Sequence, residues 1–155
     1  MPGQKLKNML DERHVKYISI NHSPAYTARE TAASTFIPRR EFAKTVIVDL
    51  DGDKVMVVLS ASRHVNLDAL AQGAQASEAR LATEDEFKAL FPDCEIGAMP
   101  PFGSLYQIRV FVDRMVTEID DLCFNAGSHE QILRMDSNDY LEIEKPVVGD
   151  FAIKE

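Results

Sequence analysis

The sequence predicts a mixed α+β fold in which helices pack around a mixed β-sheet. Runs of β-branched residues alternate irregularly with segments whose apolar residues recur at helical spacing. The predicted order is helix, strand, helix, β-hairpin, two helices, three strands and a final helix. This order is neither the regular βαβ alternation of a parallel sheet nor the pattern of a helical bundle.

The N-terminal elements are a helix, a strand and a second helix. Residues 4–14 carry apolar side chains at helical spacing, and residues 15–21 alternate and are rich in β-formers. A proline fixes a turn over 22–26. Thr27 and Glu30 have the spacing of a capping box, which predicts a short helix there.

The clearest local unit is a β-hairpin. Residues 44–50 and 54–60 are β-branched runs, and they flank an Asp-Gly pair within 51–53. An Asp-Gly pair is typical of two-residue hairpin turns. The second run is almost continuously apolar, which indicates a strand that is buried on both faces.

The C-terminal elements are two helices, three strands and a last helix. Capping residues mark the helix starts at Asn66, at Thr83, and at Asp136 or Ser137. The elements cover, in order, residues 65–72, 84–91, 107–113, 121–130, 131–135 and 138–144. The alternation in 107–113 is typical of an edge strand that could pair across a dimer, but the sequence does not fix the oligomeric state.

Length and composition fit one domain over residues 1–155. Apolar residues make up 45% and charged residues 27% of the chain, which are ordinary globular values. No apolar run is long enough to span a membrane, and the N-terminus lacks the apolar core of a secretory signal. We therefore expect a cytoplasmic protein with no membrane partner. Cys94 and Cys123 lack metal or redox spacing and are interpreted as buried free thiols.

The net charge of −8 argues against a generic basic surface for nucleic acids. Local basic clusters occur at 38–44, at 63–65 and at Lys5 and Lys7. Taken singly, each cluster is interpreted as solvated surface.

The usual signatures of metal and nucleophile chemistry are missing. The four histidines are scattered, and the sequence has no HExxH, no paired cysteines and no GxSxG. We therefore expect no metal and no cofactor. Lys44 opens the buried strand 44–50, where its ammonium could lie over a cleft. The alternative for Lys44 is an ordinary lysine that snorkels at a strand end.

Two glycine-containing segments are candidates for ligand-binding backbone. Residues 95–107 hold two adjacent prolines between two glycines, which makes the segment a rigid but apolar loop. This loop is either one wall of a small-molecule site or a structural turn. Gly127, Ser128 and His129 form a tight turn whose N–H groups can point at a ligand oxygen. A catalytic Ser-His couple is disfavoured, because adjacent residues rarely aim at each other.

Taken together and in order, these segments resemble one family. They are HSPAYTARE after the first strand, AKTVIV at the buried strand, FPDCEIGAMPPFG in mid-chain, VD at the end of the next strand, and FNAGSH. The ordered set is similar to the YbaK/EbsC family of aminoacyl-tRNA deacylases, which is related to the editing domain of bacterial prolyl-tRNA synthetases. The resemblance covers the chain from about residue 15 to its end.

The resemblance implies a YbaK-like, barrel-like mixed sheet flanked by helices. It also implies hydrolysis of the ester between a small mischarged amino acid and tRNA. The family's essential lysine corresponds to Lys44, and the histidine of its early H-x-P segment corresponds to His22. Its aminoacyl pocket corresponds to Gly97, Ala98, Met99, Pro100, Pro101, Phe102 and Gly103, with a second turn at Gly127, Ser128 and His129. The implied partner is the acceptor end of mischarged tRNA, and a partner synthetase stays open.

Two departures from the family pattern bear on specificity. Some relatives carry an aromatic residue near Ile20, and relatives that act on cysteine have a Gly-Gly-Lys turn instead of Gly-Ser-His. The amino acid removed therefore stays open among alanine, cysteine, serine and threonine, as does the tRNA that carries it. Two other functions are weighed beside deacylation. One is a non-catalytic module that binds an amino acid or a synthetase, and the other is a hydrolase of other small esters or thioesters.

Overall fold

The computed structural model describes residues 3–21 and 37–154. The turn predicted over 22–26, the helix predicted after it, and His22 lie outside these residues. The helices of the described part are α1 (Gln4–Glu12), α2 (Leu67–Gly73), α3 (Glu84–Phe87) and α4 (Ser137–Glu144). Short 3₁₀ turns lie at Arg39–Glu41, Lys88–Leu90, Gly103–Tyr106 and Arg114–Glu118. None of the helices in this part is long and apolar enough to cross a membrane.

Ten strands are present in the described part. They are β1 (Tyr17–Asn21), β2 (Ala43–Leu50), β3 (Asp53–Ser60), β4 (Arg63–Val65), β5 (Ala79–Leu81), β6 (Val110–Asp113), β7 (Asp121–Ser128), β8 (Gln131–Asp136), β9 (Val147–Gly149) and β10 (Ala152–Lys154).

The main sheet is mixed. Its strand order is β5-β2-β3-β6-β9, with β2 antiparallel to β3 and β5, and β6 parallel to β3 and β9. An antiparallel sheet has the order β1-β8-β7, and β4 pairs with β10. A parallel bridge between Phe42 and Cys123 links the two larger sheets. The predicted mixed α+β class is confirmed. Within residues 3–21 and 37–154 the strands form three separate sheets, so the barrel-like sheet is not closed into one ring.

The predicted hairpin is confirmed. β2 and β3 pair along their whole length and turn through Asp51 and Gly52, whose φ angles are 51° and 97°. Two positive φ angles are what a type I′ turn requires. The Asp49 carboxylate accepts the Gly52 N–H at 2.8 Å, which stabilises this turn. Residues 55–60 of β3 are all buried, as the continuous apolar run predicts.

The predicted edge strand over 107–113 is wrong in its length and in its place. β6 spans only the last four of these residues, because Gly103–Tyr106 forms a 3₁₀ turn and Gln107 has a φ of 58°. All four residues of β6 are buried, and β6 lies between β3 and β9. The physical reason is β9, a three-residue strand after Pro146 that covers the edge. β6 therefore cannot pair across a dimer.

The predicted helix starts are confirmed. Asn66 caps α2, and Thr83 forms a complete capping box at α3. Asp136, rather than Ser137, caps α4. The helix predicted over 84–91 continues after α3 as a 3₁₀ turn.

Two apolar layers cover the main sheet. One layer, which includes Val57 and Leu70, packs the sheet against α2. The larger layer includes Met56, Phe124 and Tyr140, and it packs the sheet against the antiparallel sheet, α1 and α4. The proline loop contributes Met99 and Phe102 to this larger layer. Core packing therefore fixes the position of the loop.

Candidate functional site

The proline loop begins with a tight turn. The Ala98 N–H donates to the Glu95 carbonyl at 3.1 Å, and Gly97 has a φ of 86°. A positive φ at the third position is characteristic of a type II turn and favours glycine there.

Burial explains why this loop is apolar. Residues 98–103 are all buried. The Phe102 ring packs edge-on against Phe124 and Tyr140, with ring centroids 5.4 and 5.1 Å apart. The Tyr140 hydroxyl donates to the Pro101 carbonyl at 2.6 Å. Since proline has no N–H group, the loop can be buried with few unpaired backbone donors.

The far end of the loop is also fixed. A Cβ on Gly103 would overlap the Ile108 carbonyl, which excludes larger residues at this position. Ser104 donates from its N–H and from its hydroxyl to the Glu144 carboxylate, at 3.1 and 2.5 Å. The loop is therefore anchored on both sides of its prolines.

The glycine turn hydrogen-bonds directly to the loop. The Gly127 N–H donates to the Ala98 carbonyl at 2.9 Å, and the Glu95 N–H donates to the Gly127 carbonyl at 2.8 Å. These bonds form where β7 departs from regular pairing, between Asn125 and Ser128. Such an irregularity frees backbone groups from the ladder. Residues 95–103 and 127–129 thus form one rigid unit, here called the loop–turn wall.

His129 is held against the loop by its backbone and by its ring. The His129 N–H donates to Glu95 Oε1 at 2.9 Å, and its ring Nε2 lies 2.7 Å from the Ile96 carbonyl. Because a carbonyl only accepts, Nε2 must carry a proton. Ser128 Oγ instead accepts the Glu130 N–H at 3.3 Å. The two side chains have different partners, which agrees with the disfavoured Ser-His couple.

Lys44 lies near the start of β2, opposite Leu59 of β3. Its side chain is half-buried and makes no hydrogen bond or ion pair with any described residue. Burial lowers the pKa of the Lys44 ammonium from its usual 10.5, and the positive charge of Arg39 lowers it further. This ammonium is available to bind an incoming anion or polarised oxygen.

Asn125 is a candidate site residue that the sequence analysis missed. The parallel bridge pairs Phe42 with Cys123, and the residues two positions further on are Lys44 and Asn125. Residues two apart on a strand share a face, so Lys44 and Asn125 point to the same side. Asn125 is only 7% exposed, and its Oδ1 has no hydrogen-bond partner among the described residues. An asparagine inside the apolar run 122–126 was the available signal.

The structure therefore brings most of the predicted site residues into one region. The loop and the glycine turn are in direct contact, and Lys44 lies on the strand that is bridged to β7. The two cysteines are free, with Cys123 buried and Cys94 partly buried.

The fold is a mixed α+β domain whose candidate functional groups are the half-buried ammonium of Lys44 on β2 and the fixed backbone groups of the loop–turn wall. The family model of the aminoacyl-tRNA editing domain matches residues 22–143, and the chain belongs to this family. The activity of the protein is therefore aminoacyl-tRNA deacylation, and the resemblance drawn from the sequence motifs is confirmed.

Similar proteins agree with this assignment. A relative from Escherichia coli (strain K12), the multifunctional Ser/Thr-tRNA deacylase ProXp-y, is 24% identical over 153 residues, which are 96% of this chain and 91% of the relative. The structure of hypothetical protein APE2540 has a TM-score of 0.88 at 23% identity, with 97% of this chain and 100% of that chain covered. A proposed trans-editing enzyme for prolyl tRNA synthetase has a TM-score of 0.81 at 19% identity, with 99% and 96% covered. Both solved structures share the fold.

Proposed function

We propose that residues 1–155 act as one domain that hydrolyses, in trans, the ester between a small mischarged amino acid and tRNA. Lys44 binds an oxygen of the terminal ribose, of its phosphate or of the ester carbonyl. The loop–turn wall encloses the aminoacyl group, and Asn125 offers its amide beside Lys44.

One observation carries this proposal. A half-buried ammonium on β2 has no partner among the described residues, and the same domain contains a wall fixed by hydrogen bonds. Burying such a charge is unfavourable for folding alone. Binding of an oxygen-rich substrate explains why the Lys44 ammonium is kept half-buried and why the loop–turn wall is held rigid.

The free backbone donors of the wall fit an oxyanion site. The N–H groups of Ala98, Gly127 and His129 already donate within the wall. Those of Ile96, Gly97 and Met99 have no acceptor among the described residues. Of these three, we assign the oxyanion to the two donors that flank Ala98, those of Gly97 and Met99, each worth about 3 kcal/mol of transition-state stabilisation when well aligned.

The reaction needs no strong nucleophile, because an aminoacyl ester is already activated. Water adds to the ester carbonyl, and the carbonyl oxygen becomes the oxyanion. The carbon–oxygen bond to the ribose then breaks, and the ribose oxygen leaves as a hydroxyl with a proton from the attacking water. The neighbouring ribose hydroxyl relays this proton. The products are the free amino acid and uncharged tRNA.

The test is deacylation of tRNA mischarged with serine, threonine, alanine or cysteine. Serine and threonine lead this panel, because they are named for the 24% identical relative. We expect release of one or two of these amino acids from tRNA at enzyme concentrations far below that of the substrate. Binding of an amino acid without release would instead identify a non-catalytic module, and equal hydrolysis of a small ester without tRNA would identify a general esterase.

We expect binding to tRNA to be weak and to depend strongly on salt. The net charge of −8 opposes a polyanion, so contacts must come from local cations, such as the exposed Arg40 and the half-buried Arg63. Each phosphate contact adds about one unit to the slope of log affinity against log salt. Titration at several salt concentrations measures this slope, and Arg40→Ala should reduce it. The exposed Lys88→Ala is the control, and tight salt-insensitive binding would contradict the expectation.

As the pH is raised, the activity should begin to fall at a lower pH than it would if Lys44 had the pKa of an ordinary lysine. The Lys44 pKa lies below 10.5, chiefly because of burial. As the pH rises through that lowered pKa, the ammonium loses its proton and its attraction for the substrate oxygen. The measurement is kcat/KM against pH, corrected for spontaneous ester hydrolysis. Lys44→Arg is the control, since a guanidinium keeps its proton and any remaining activity should lack the alkaline fall.

A further inference from the structure

Glu95 joins the loop to the glycine turn through two separate hydrogen bonds. Its N–H donates to the Gly127 carbonyl at 2.8 Å, and its side-chain Oε1 accepts the His129 N–H at 2.9 Å. The backbone bond is available to any residue at position 95 except proline. The side-chain bond requires an acceptor of this length, and a carboxylate makes it charge-assisted and therefore stronger.

The two residues after Glu95 hold the imidazole ring of His129. The Ile96 carbonyl lies 2.7 Å from His129 Nε2. A Cβ on Gly97 would lie 3.4 Å from His129 Cε1, so the ring packs closely on the turn that Gly97 forms. Residues 95–97 thus fix the backbone of His129, one nitrogen of its ring and one edge of its ring.

The position of His129 affects the proposed site at two points. The ring is 5% exposed and forms part of the loop–turn wall, so a shift of the ring changes the space beside the wall. The same ring packs on Gly97, whose N–H is one of the two proposed oxyanion donors. A loose glycine turn would therefore disturb both the pocket size and the alignment of this donor.

We infer that Glu95 is a positioning residue that sets the size of the aminoacyl pocket through His129. This inference rests on the proposed function. The carboxylate does not touch the substrate. It fixes the glycine turn, and this turn limits the space for the side chain of the amino acid. An aminoacyl ester whose side chain is one methyl group too large is therefore excluded.

The experiment compares Glu95→Ala, Glu95→Gln and a matched control, Glu130→Ala. Glu130 lies on the same turn, is exposed, and its side chain makes no hydrogen bond or ion pair with the described residues. Each protein is assayed for kcat and KM on tRNA charged with serine, threonine or isoleucine, which increase in side-chain size in this order. Melting temperatures are measured in parallel.

We expect Glu95→Ala to lower kcat/KM for the preferred ester by about 10- to 100-fold, mostly through kcat, as a small misplacement does. Its preference for that ester over the larger ones should fall by about tenfold or more. Glu95→Gln keeps the acceptor oxygen and should restore the preference. Glu130→Ala should leave rates and preference unchanged.

A lower melting temperature with unchanged preference in Glu95→Ala would overturn the inference, because a purely structural role predicts that result. The imidazole NMR signals of His129, identified with His129→Gln, provide a second readout that does not need activity. We expect these signals to shift in Glu95→Ala and to return in Glu95→Gln. If the wild type releases no amino acid, the proposed function fails, and unchanged His129 signals in Glu95→Ala would then overturn the role of Glu95 as well.

Discussion

Replacement of Lys44 with methionine should lower kcat/KM for deacylation by at least about 10²- to 10³-fold, which is the range found when one transition-state contact is removed. Methionine is unbranched and similar in length, so most of the bulk of the half-buried side chain is conserved while the charge is lost. No described residue forms a hydrogen bond or ion pair with the Lys44 ammonium. In the proposed mechanism this ammonium binds an oxygen of the substrate.

The same substitution should not destabilise the fold. Burial lowers the Lys44 pKa, which means that the folded state disfavours the charged form. Removal of that charge relieves the penalty, so the melting temperature should stay the same or rise. A large loss of activity without a loss of stability is the signature of a residue retained for function.

The measurement is initial-rate deacylation together with a thermal melt of the same preparation. Lys88→Met is a suitable control, since Lys88 is exposed and forms an ion pair with Asp85 on the surface. Normal deacylation by Lys44→Met would remove this residue from the mechanism. Loss of activity together with a large fall in melting temperature would show that Lys44 is structural.

The elements with local signals were predictable from the sequence. A hairpin turn depends on two residues, and the Asp51-Gly52 pair adopts the positive φ angles that such a turn needs. Helix caps depend on residues within one turn, and Asn66 and Thr83 cap as expected. These interactions join neighbours in the chain, so one sequence contains all the information they require.

The elements that depend on distant partners were not predictable. β4, β5, β9 and β10 have three residues each, which is too short for a periodic pattern. The alternation in 107–113 predicts an edge strand, because nothing in the sequence shows that β9 pairs beside β6. Tertiary contacts decide these positions, and local composition does not.

The candidate site shows the same division. The sequence indicated Lys44, the proline loop and the glycine turn as candidates. It gave no sign that the loop and the turn contact each other. Their reciprocal hydrogen bonds join residues that are about thirty positions apart, and only the structure shows them. These bonds also show that the N–H groups of Glu95 and Gly127 already have acceptors, which excludes both groups as oxyanion donors. Asn125 becomes a candidate because the bridge places it on the same side as Lys44, and Glu95 because its carboxylate accepts the His129 N–H; the sequence shows neither relation.

The second large effect concerns Phe102, the side chain that packs the loop–turn wall into the core. Its replacement with alanine should lower the free energy of unfolding by about 3–5 kcal/mol, the usual cost of deleting a buried phenylalanine ring. Phe102 is fully buried between the rings of Phe124 and Tyr140. Thermal or denaturant unfolding measures the loss. Activity should also fall at a temperature where the variant is still folded, because the loop loses the side chain that seats it in the core.

Phe151→Ala separates the two consequences. Phe151 is also buried and packs edge-on against Phe111, but it belongs to the layer on the other face of the main sheet. The two variants should lose similar stability, while only Phe102→Ala should lose activity well below its melting temperature. Equal kcat/KM values for the two folded variants would show that the loop holds its shape without its anchor. A selective loss in Phe102→Ala would instead show that core packing sets the geometry in which the ester is hydrolysed.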